Sequence, residues 1–258
     1  MRKTLSIIII LLAAITLHAG QHADAGDKAY NNKDYNEALT QYRLAVETEG
    51  VSSNLYYNLG NTYYRMGDIG QAVLNYQRAL KVDPSNDDAR ANLQFVQSKI
   101  ANTPEDDSSF LTNMHRNIVS VMSPDAWAWT AFGLFVVVLG AIALYLFTSN
   151  VTLRKIGFFG GFVVLVVFVY VFIIAWTTAS AINDHSDAVI TAPVSNLRSQ
   201  PSSKNDKSEK VVPVNQGITV QIVDSVATPD DPMTPMWYEV KINNSTRAWI
   251  AASDVERV

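Results

Sequence analysis

The apolar residues of this chain are concentrated in three long runs, separated by amphipathic and mixed stretches. One run, Leu5–Leu17, lies close to the first residue, and the other two, Trp127–Phe147 and Ile156–Trp176, contain no charged side chain. A helix rises about 1.5 Å per residue, so each of the two later runs spans roughly 30 Å, the thickness of the hydrocarbon core of a bilayer. The pattern predicts transmembrane helices over 127–147 and 156–176.

The first run has the character of an export signal. A basic start, Arg2-Lys3, precedes the apolar core, and the small residues Ala19-Gly20 follow it. This order is typical of a secretory signal peptide, which predicts a signal over 1–19 with cleavage after Ala19. The alternative is an uncleaved anchor, and either interpretation places the residues that follow outside the cytoplasm.

Residues 20–100 show amphipathic helical periodicity and repeat themselves at a spacing of 34 residues. The matched pairs are Gly26 and Gly60, Tyr30 and Tyr64, Asp34 and Asp68, Ala38 and Ala72, Tyr42 and Tyr76, and Ala45 and Ala79. This spacing and residue pattern resemble the tetratricopeptide repeat, a helical hairpin. We predict two repeats and a capping helix over Asp87–Ile100. Since at least three units are usually needed for stability, the array is expected to rely on a partner, on its own chain or on a second copy.

The first helix of each hairpin is expected to line the concave face of the array, where repeats of this kind bind partners. The candidate contact residues are Asp27, Tyr30, Asn31, Asn54, Asn58, Asn61 and Arg65. An ordinary solvated helix face is the alternative interpretation of the asparagines. The resemblance further implies that a clamp for a C-terminal carboxylate needs basic residues where this chain has Asp88 and Asn92. The predicted ligand is therefore an internal segment or a folded surface of a protein.

The two predicted spans form a hairpin whose loop, 148–155, contains Arg154 and Lys155. By the positive-inside rule this loop is cytoplasmic, so both ends of the chain are expected on the outer side, most simply a bacterial periplasm. Segment 101–126 is predicted as a linker and juxtamembrane helix, and 177–186 as a second linker. The helix either lies along the outer membrane surface or is an ordinary packing helix. Four glycines are candidates for close helix packing, within the hairpin or with another protein: Gly133, Gly140, Gly157 and Gly161.

Residues 187–258 change to short runs typical of strands, separated by polar loops and turns. The predicted strands are Ala188–Ile190, Val211–Val214, Ile218–Val223, Trp237–Ile242 and Ala248–Ile250. The motifs Val194-Ser-Asn-Leu-Arg-Ser-Gln-Pro-Ser202, Gln216-Gly217-Ile-Thr-Val220 and Trp237-Tyr-Glu-Val-Lys241 resemble those of bacterial SH3-like domains. The resemblance implies a small β-barrel in which Trp237 and Trp249 either line a ligand groove or support the core.

The composition and the motifs argue against catalysis. The net charge of −4 and the lack of a basic cluster give no reason to expect nucleic acid as a ligand. There is no cysteine, and the four histidines (His18, His22, His115 and His185) have no metal-ligand spacing. No nucleophile elbow, phosphate loop or dinucleotide fingerprint is present. We therefore predict a non-enzymatic protein without metal or cofactor.

The whole order predicts a multidomain α + membrane + β fold: tetratricopeptide hairpins, two transmembrane helices and a small SH3-like barrel. This order resembles the BatE family of the Bacteroides aerotolerance operon group. The resemblance implies an inner-membrane scaffold with both terminal domains in the periplasm, bound to membrane proteins with von Willebrand A-type domains, and a link to oxygen or stress tolerance. The alternative is a cell-wall-sensing regulator whose SH3-like domain binds peptidoglycan.

Overall fold

The computed structural model describes residues 20–101, 109–201, 211–228, 231–243 and 246–258, with the backbone alone for 228 and 231–235. The predicted signal peptide, part of the first linker (102–108) and the polar stretch 202–210 lie outside the described residues. The chain divides into two compact units. The first unit joins the repeat region to the C-terminal region, and the second contains the two long apolar helices.

The first unit begins with five helices: α1 (Gln21–Asn31), α2 (Tyr35–Thr48), α3 (Ser53–Met66), α4 (Ile69–Val82) and α5 (Asp87–Gln97). Polar residues cap the first turns of α2, α3, α4 and α5. Asp34 accepts a hydrogen bond from the Glu37 amide, and Ser52 accepts one from the Leu55 amide. Gly67, with φ of 83°, ends α3 in the left-handed conformation that glycine adopts most readily. The helical, tetratricopeptide-like character of the region is confirmed.

Each hairpin is closed by a tyrosine ring lying on a glycine. The Tyr42 ring lies on Gly26 and the Tyr76 ring on Gly60, where a Cβ atom would come within 2.6 Å and 2.7 Å of the ring, respectively. Both tyrosines are almost fully buried, at 2% and 1% exposure. The glycines are therefore required for close packing of the paired helices.

The C-terminal region of the first unit is an antiparallel sheet that curls. Its strands are β1 (Asp187–Ile190), β2 (Val194–Arg198), β3 (Val211–Asn215), β4 (Thr219–Thr228), β5 (Asp231–Lys241), β6 (Arg247–Ala251) and β7 (Val255–Arg257). They are ordered β3-β2-β6-β5-β4-β1-β7. Besides the five predicted strands, the described residues contain β2, which lies in the motif 194–202, and β7. Strand β7 pairs with the distant strand β1, whereas β2 pairs along its length with the next strand, β3, and at one position with β6.

The second unit contains α6 (Phe110–Val119), α7 (Pro124–Phe147) and α8 (Val151–Ala181). At 24 and 31 residues, α7 and α8 are long and apolar enough to cross a membrane. Helical hydrogen bonding continues beyond the apolar runs, so α8 already begins at Val151, where Asn150 caps its first turn. Arg154 and Lys155, predicted in the loop, lie instead in this first turn and the next.

The two long helices touch at glycines of α8. At Gly157 a Cβ atom would lie 2.9 Å from the Ala141 carbonyl oxygen of α7, and at Gly161 it would lie 2.8 Å from the Ala141 Cβ. Gly133 and Gly140 have no described heavy atom within 4 Å of a Cβ position. The structure therefore places two of the four predicted packing glycines at the contact between α7 and α8.

Helix α6 packs within the second unit. The Trp127 indole nitrogen donates to the Val119 carbonyl oxygen at 3.1 Å. Ile118, Val119 and Met122 contact a buried cluster that includes Trp127 and Ile174. These contacts favour the packing interpretation of the juxtamembrane helix.

Candidate partner-binding face

Five of the seven candidate contact residues are linked to another candidate: Asp27, Asn54 and Asn58 share a recess, and Tyr30 contacts Arg65. Asn61 bonds instead to Tyr76 and Asn92. We call the surface formed by α1, α3 and α5 the concave face. Asn31 lies exposed at the end of α1 and takes no part in these contacts. The other six, described below, are Asp27, Tyr30, Asn54, Asn58, Asn61 and Arg65.

A hydrogen-bond ladder joins successive hairpins across this face. The Asp27 Oδ1 atom accepts from the Tyr42 hydroxyl at 2.6 Å and from the Asn58 amide at 3.1 Å. One repeat later, Asn61 Oδ1 accepts from the Tyr76 hydroxyl at 2.7 Å and from the Asn92 amide at 2.8 Å. Because both sets are offset by the repeat length, the ladder fixes the stacking of one hairpin on the next.

A second contact that recurs at the repeat spacing joins a cation to a tyrosine hydroxyl, and its groups lie at the solvent-facing surface. The Arg65 Nε atom lies 3.4 Å from the Tyr30 hydroxyl, and the Lys99 amine lies 3.4 Å from the Tyr64 hydroxyl. Lys99 also lies 4.1 Å from the centre of the Phe95 ring, and Phe95 is half exposed. We call these five residues the aromatic–cation strip. It combines exposed ring surface with two positive charges, which suits apolar and acidic groups together.

A recess of about 510 Å³ opens at the other end of the first helices. Asp27, Asn54 and Asn58 line it, together with Glu49 and Asp88. The recess is thus acidic, whereas the aromatic–cation strip is basic. The concave face is therefore polarised along the direction of its helices.

The predicted contact residues do not include Lys99, Tyr64 and Phe95, and Asn92 enters the prediction only as a residue that argues against a carboxylate clamp. A signal is present in the sequence, since Asn92 and Lys99 follow Asn58 and Arg65 by one repeat length. The segment Asp87–Ile100 is predicted as a cap, so its residues are not counted among those that contact a partner. In the structure α5 takes the place of the first helix of a third unit.

The two tryptophans proposed for the C-terminal sheet lie on the adjacent strands β5 and β6. Trp237 is buried, with the Arg198 guanidinium 5.8 Å from its ring, and Trp249 is partly buried on β6. The sheet surrounds a cavity of about 530 Å³ with an apolar lining that includes Ile190 and Leu197. Arg198 and Arg247 also line this cavity, and neither tryptophan does.

The buried tyrosines make the repeat region sensitive to alkali. Burial raises the pKa of the Tyr42 phenol above its usual value of 10.0, and the hydrogen bond to Asp27 raises it further. Burial likewise raises the pKa of Tyr76. The proton is held more tightly in the folded state, so this stabilisation is complete below pH 10 and is lost as the pH rises above it.

We expect the helical signal of the full chain in detergent to fall above about pH 10. Circular dichroism followed together with phenolate absorbance measures this transition. A Tyr42→Phe/Tyr76→Phe variant, which has no phenol to ionise at these positions, should lose less helix over the same range. An equally steep loss in that variant would assign the transition to other groups.

Comparison with known proteins agrees with this geometry. A tetratricopeptide repeat family model matches residues 53–86. Protein bimA of Emericella nidulans is 33% identical over 61 residues, which are 24% of this chain and 8% of that protein. Tetratricopeptide repeat protein 16 of mouse is 27% identical over 71 residues, 28% of this chain and 9% of that protein. Sperm-associated antigen 1 of rat is 24% identical over 82 residues, which are 32% of this chain and 9% of that protein.

The chain thus spans less than a tenth of the length of these relatives, and each match covers no more than 32% of this chain. The chain contains a tetratricopeptide repeat, a module that presents an extended surface to protein partners. This indicates a role in protein–protein interaction.

Proposed function

We propose that this protein is a non-enzymatic, membrane-anchored scaffold whose concave face binds an acidic segment of a partner protein. The aromatic–cation strip is the observation that carries the proposal. Its two cations recur at the repeat spacing, as do Tyr30 and Tyr64, so one extended segment can meet the same chemistry twice. Arg65, Phe95 and Lys99 are all exposed, which leaves them accessible to a partner.

The opposite charges at the two ends of the concave face also set the direction in which the bound segment of the partner lies. Acidic side chains would lie over Arg65 and Lys99, and a basic group would enter the recess lined by Asp27, Glu49 and Asp88. Opposite charges placed across an interface select among partners and fix their orientation more than they add affinity. The ladder residues Asn58 and Asn61 support this face by holding the hairpins in register.

The charge of the strip can be reversed without touching the core. For an Arg65→Glu/Lys99→Glu variant we expect binding of a glutamate-rich, tyrosine-containing peptide to weaken about tenfold. Fluorescence anisotropy of the labelled peptide against the full chain in detergent measures the change. The loss should shrink as salt is added, because exposed charges are screened.

A Lys28→Glu/Lys33→Glu variant is the matched control, because it makes the same change of net charge at two exposed lysines outside the strip. It should bind the peptide nearly as well as the unaltered chain does. Equal losses in the two variants would show that net charge alone drives binding and would refute the proposed site.

The resemblance of the domain order to the BatE family leads to a more specific proposal. We propose a BatE-type protein of a bacterial inner membrane, with 127–147 and 156–176 as membrane spans and both terminal domains in the periplasm. Two helices of sufficient length and apolar character support the anchor. The proposed partners are membrane proteins with von Willebrand A-type domains, in a complex linked to aerotolerance or stress.

Co-purification of the full chain in mild detergent, with quantitative mass spectrometry, tests this assignment. The strip variant and its control should be compared in parallel. Proteins with von Willebrand A-type domains should be recovered with the control and depleted with the strip variant. Their absence from all preparations would argue against the BatE assignment while leaving the peptide-binding result intact.

The cavity of the C-terminal sheet favours a second candidate function. We propose that this sheet is an SH3-like barrel, supported by its antiparallel β4-β5-β6 succession and by the pairing of β1 with both β4 and β7. In this alternative the protein is a cell-wall-sensing regulator, and the cavity binds peptidoglycan stem peptide. Arg198 and Arg247 would then meet its carboxylates.

Sedimentation with purified peptidoglycan tests the alternative. The full chain in detergent should be retained by the wall material, and an Arg247→Glu variant should be retained less. Failure of the unaltered chain to sediment would eliminate wall binding. That outcome would leave the scaffold proposal unaffected, since the scaffold depends on the concave face.

A further inference from the structure

Helix α4 carries the contacts that join the repeat region to the C-terminal sheet. Val189 of β1 is fully buried in the same apolar cluster as Val73 and Tyr76 of α4, and Val258 packs against that cluster. Ile100, just after α5, contacts both the repeat core and the core of the sheet. The two regions therefore share apolar packing as well as surface contacts.

Polar groups surround this apolar contact and are paired across it. Gln71 donates to Glu256 at 2.8 Å, and Arg78 forms an ion pair with the same carboxylate at 3.1 Å. Arg78 also donates to the Arg257 carbonyl oxygen, Lys81 to the Val258 carbonyl oxygen, Gln77 to the Thr219 hydroxyl and Asn215 to the Ala101 carbonyl oxygen. The last two strands of the sheet order, β1 and β7, supply Val189 and Glu256 to this contact.

A close approach of main chain to main chain lies at Gly70, in the first turn of α4. A Cβ atom there would lie 2.8 Å from the Thr191 Cα and 2.9 Å from its carbonyl oxygen, so any side chain would meet main chain. The Gly70 amide donates to the Gln216 side chain at 3.1 Å. The sheet thus supplies an acceptor for a first-turn amide that has no partner within its own helix.

We propose that the C-terminal sheet is the terminal cap of the repeat array and that it docks on α4 in place of the second helix of a third unit. Helix α5 matches the first helix of such a unit, and no α-helix of the first unit follows it among the described residues, which there contain only the 3-10 turn Ala252–Asp254 besides strands and loops. Without a cover, Ile69 and Val73 of α4 would lose apolar contacts that Gly217 and its neighbours provide. A short array is stable only when its last apolar face is covered.

The cap has a consequence for membrane topology. Docking requires the repeats and the sheet to be in the same compartment, although α7 and α8 separate them in sequence. An even number of crossings satisfies this requirement and a single crossing does not. A partner bound by either region therefore meets one joined body on one side of the membrane.

Crosslinking tests the docking directly, because the chain has no cysteine of its own. In a Gln77→Cys/Thr219→Cys variant, a short bismaleimide should join the two thiols within one full-length chain in native membranes. The product should migrate as a compact monomer. Gln77→Cys paired with Val226→Cys is the control: Val226 is exposed on the same strand, about 20 Å farther along at 3.3 Å per residue, and should give little product.

A Gly70→Val substitution in the crosslinking background supplies the second arm. It should abolish most of the intramolecular product, because the added side chain forces the Thr191 main chain away from α4. A Thr40→Val substitution on α2, whose hydroxyl bonds only within its own helix, should leave the yield unchanged. Equal yields from the two cysteine pairs, or an unchanged yield in Gly70→Val, would overturn the proposed cap.

Discussion

Replacement of Tyr76 by alanine is expected to unfold the repeat array, with the free energy of unfolding falling by about 3 to 5 kcal/mol. The ring is 1% exposed and fills the space over Gly60, so its removal leaves a cavity between α3 and α4. Its hydroxyl also donates to Asn61, which belongs to the ladder that joins α3 to α5. The substitution therefore weakens the hairpin and the stacking of successive units together.

Denaturant unfolding of the full chain in detergent, followed by circular dichroism, measures this loss. A Tyr76→Phe variant retains the ring and should lose only about 1 kcal/mol, the usual net contribution of one hydrogen bond. Tyr35→Ala is the matched control: Tyr35 is only partly buried and makes an edge contact with Tyr30. If Tyr76→Ala were as stable as Tyr35→Ala, the ring would not be central to the fold.

Replacement of Gly157 by leucine is expected to separate α7 from α8, at a cost of about 1 to 3 kcal/mol. The Cβ atom alone would lie 2.9 Å from the Ala141 carbonyl oxygen and 3.0 Å from the Tyr145 nitrogen, both of which are main-chain atoms. Main chain cannot rotate away as a side chain can, so the helices must move apart. Close packing is a principal attraction between helices in lipid, which makes this loss hard to compensate.

Gly160 provides a control on the same helix, because no described heavy atom lies within 4 Å of its Cβ position. Thermal aggregation of the detergent-solubilised chain should begin at a lower temperature for Gly157→Leu and at an unchanged temperature for Gly160→Leu. Equal shifts in the two variants would show that leucine perturbs α8 by its bulk alone. The contact at Gly157 would then not be what holds α7 against α8.

Local patterns predicted the helices well, because each hairpin repeats its own signals. Gly60, Tyr76 and the cap residues Asp34 and Asp68 all occupy positions that sequence spacing makes visible. The apolar runs likewise predicted α7 and α8, although both helices extend beyond the runs. By contrast, β7 pairs with β1, which is distant in sequence, and β2 pairs with β3 across a long polar stretch, so no local signal marks these pairings.

The candidate site was only partly predictable for the same reason. The sequence indicated Asn58, Asn61 and Arg65 from their places on a first helix. It did not show that Asp27 and Asn61 accept bonds from neighbouring hairpins, which commits these groups to the stacking of the array. Nor did it show that Phe95 and Lys99 complete an exposed strip, since this requires α5 to stack as a third first helix.

The sequence by itself determined the repeat, the two long apolar helices and a C-terminal region of short strands, because periodicity and length are properties of neighbouring residues. The tertiary structure alone decided that the strands curl into a sheet and that this sheet covers α4. That contact joins Gly70 to Thr191, which are 121 residues apart (191 − 70), and Arg78 to Glu256, which are 178 residues apart. Such pairing depends on which surfaces remain uncovered after the local elements have formed, and no local pattern records it.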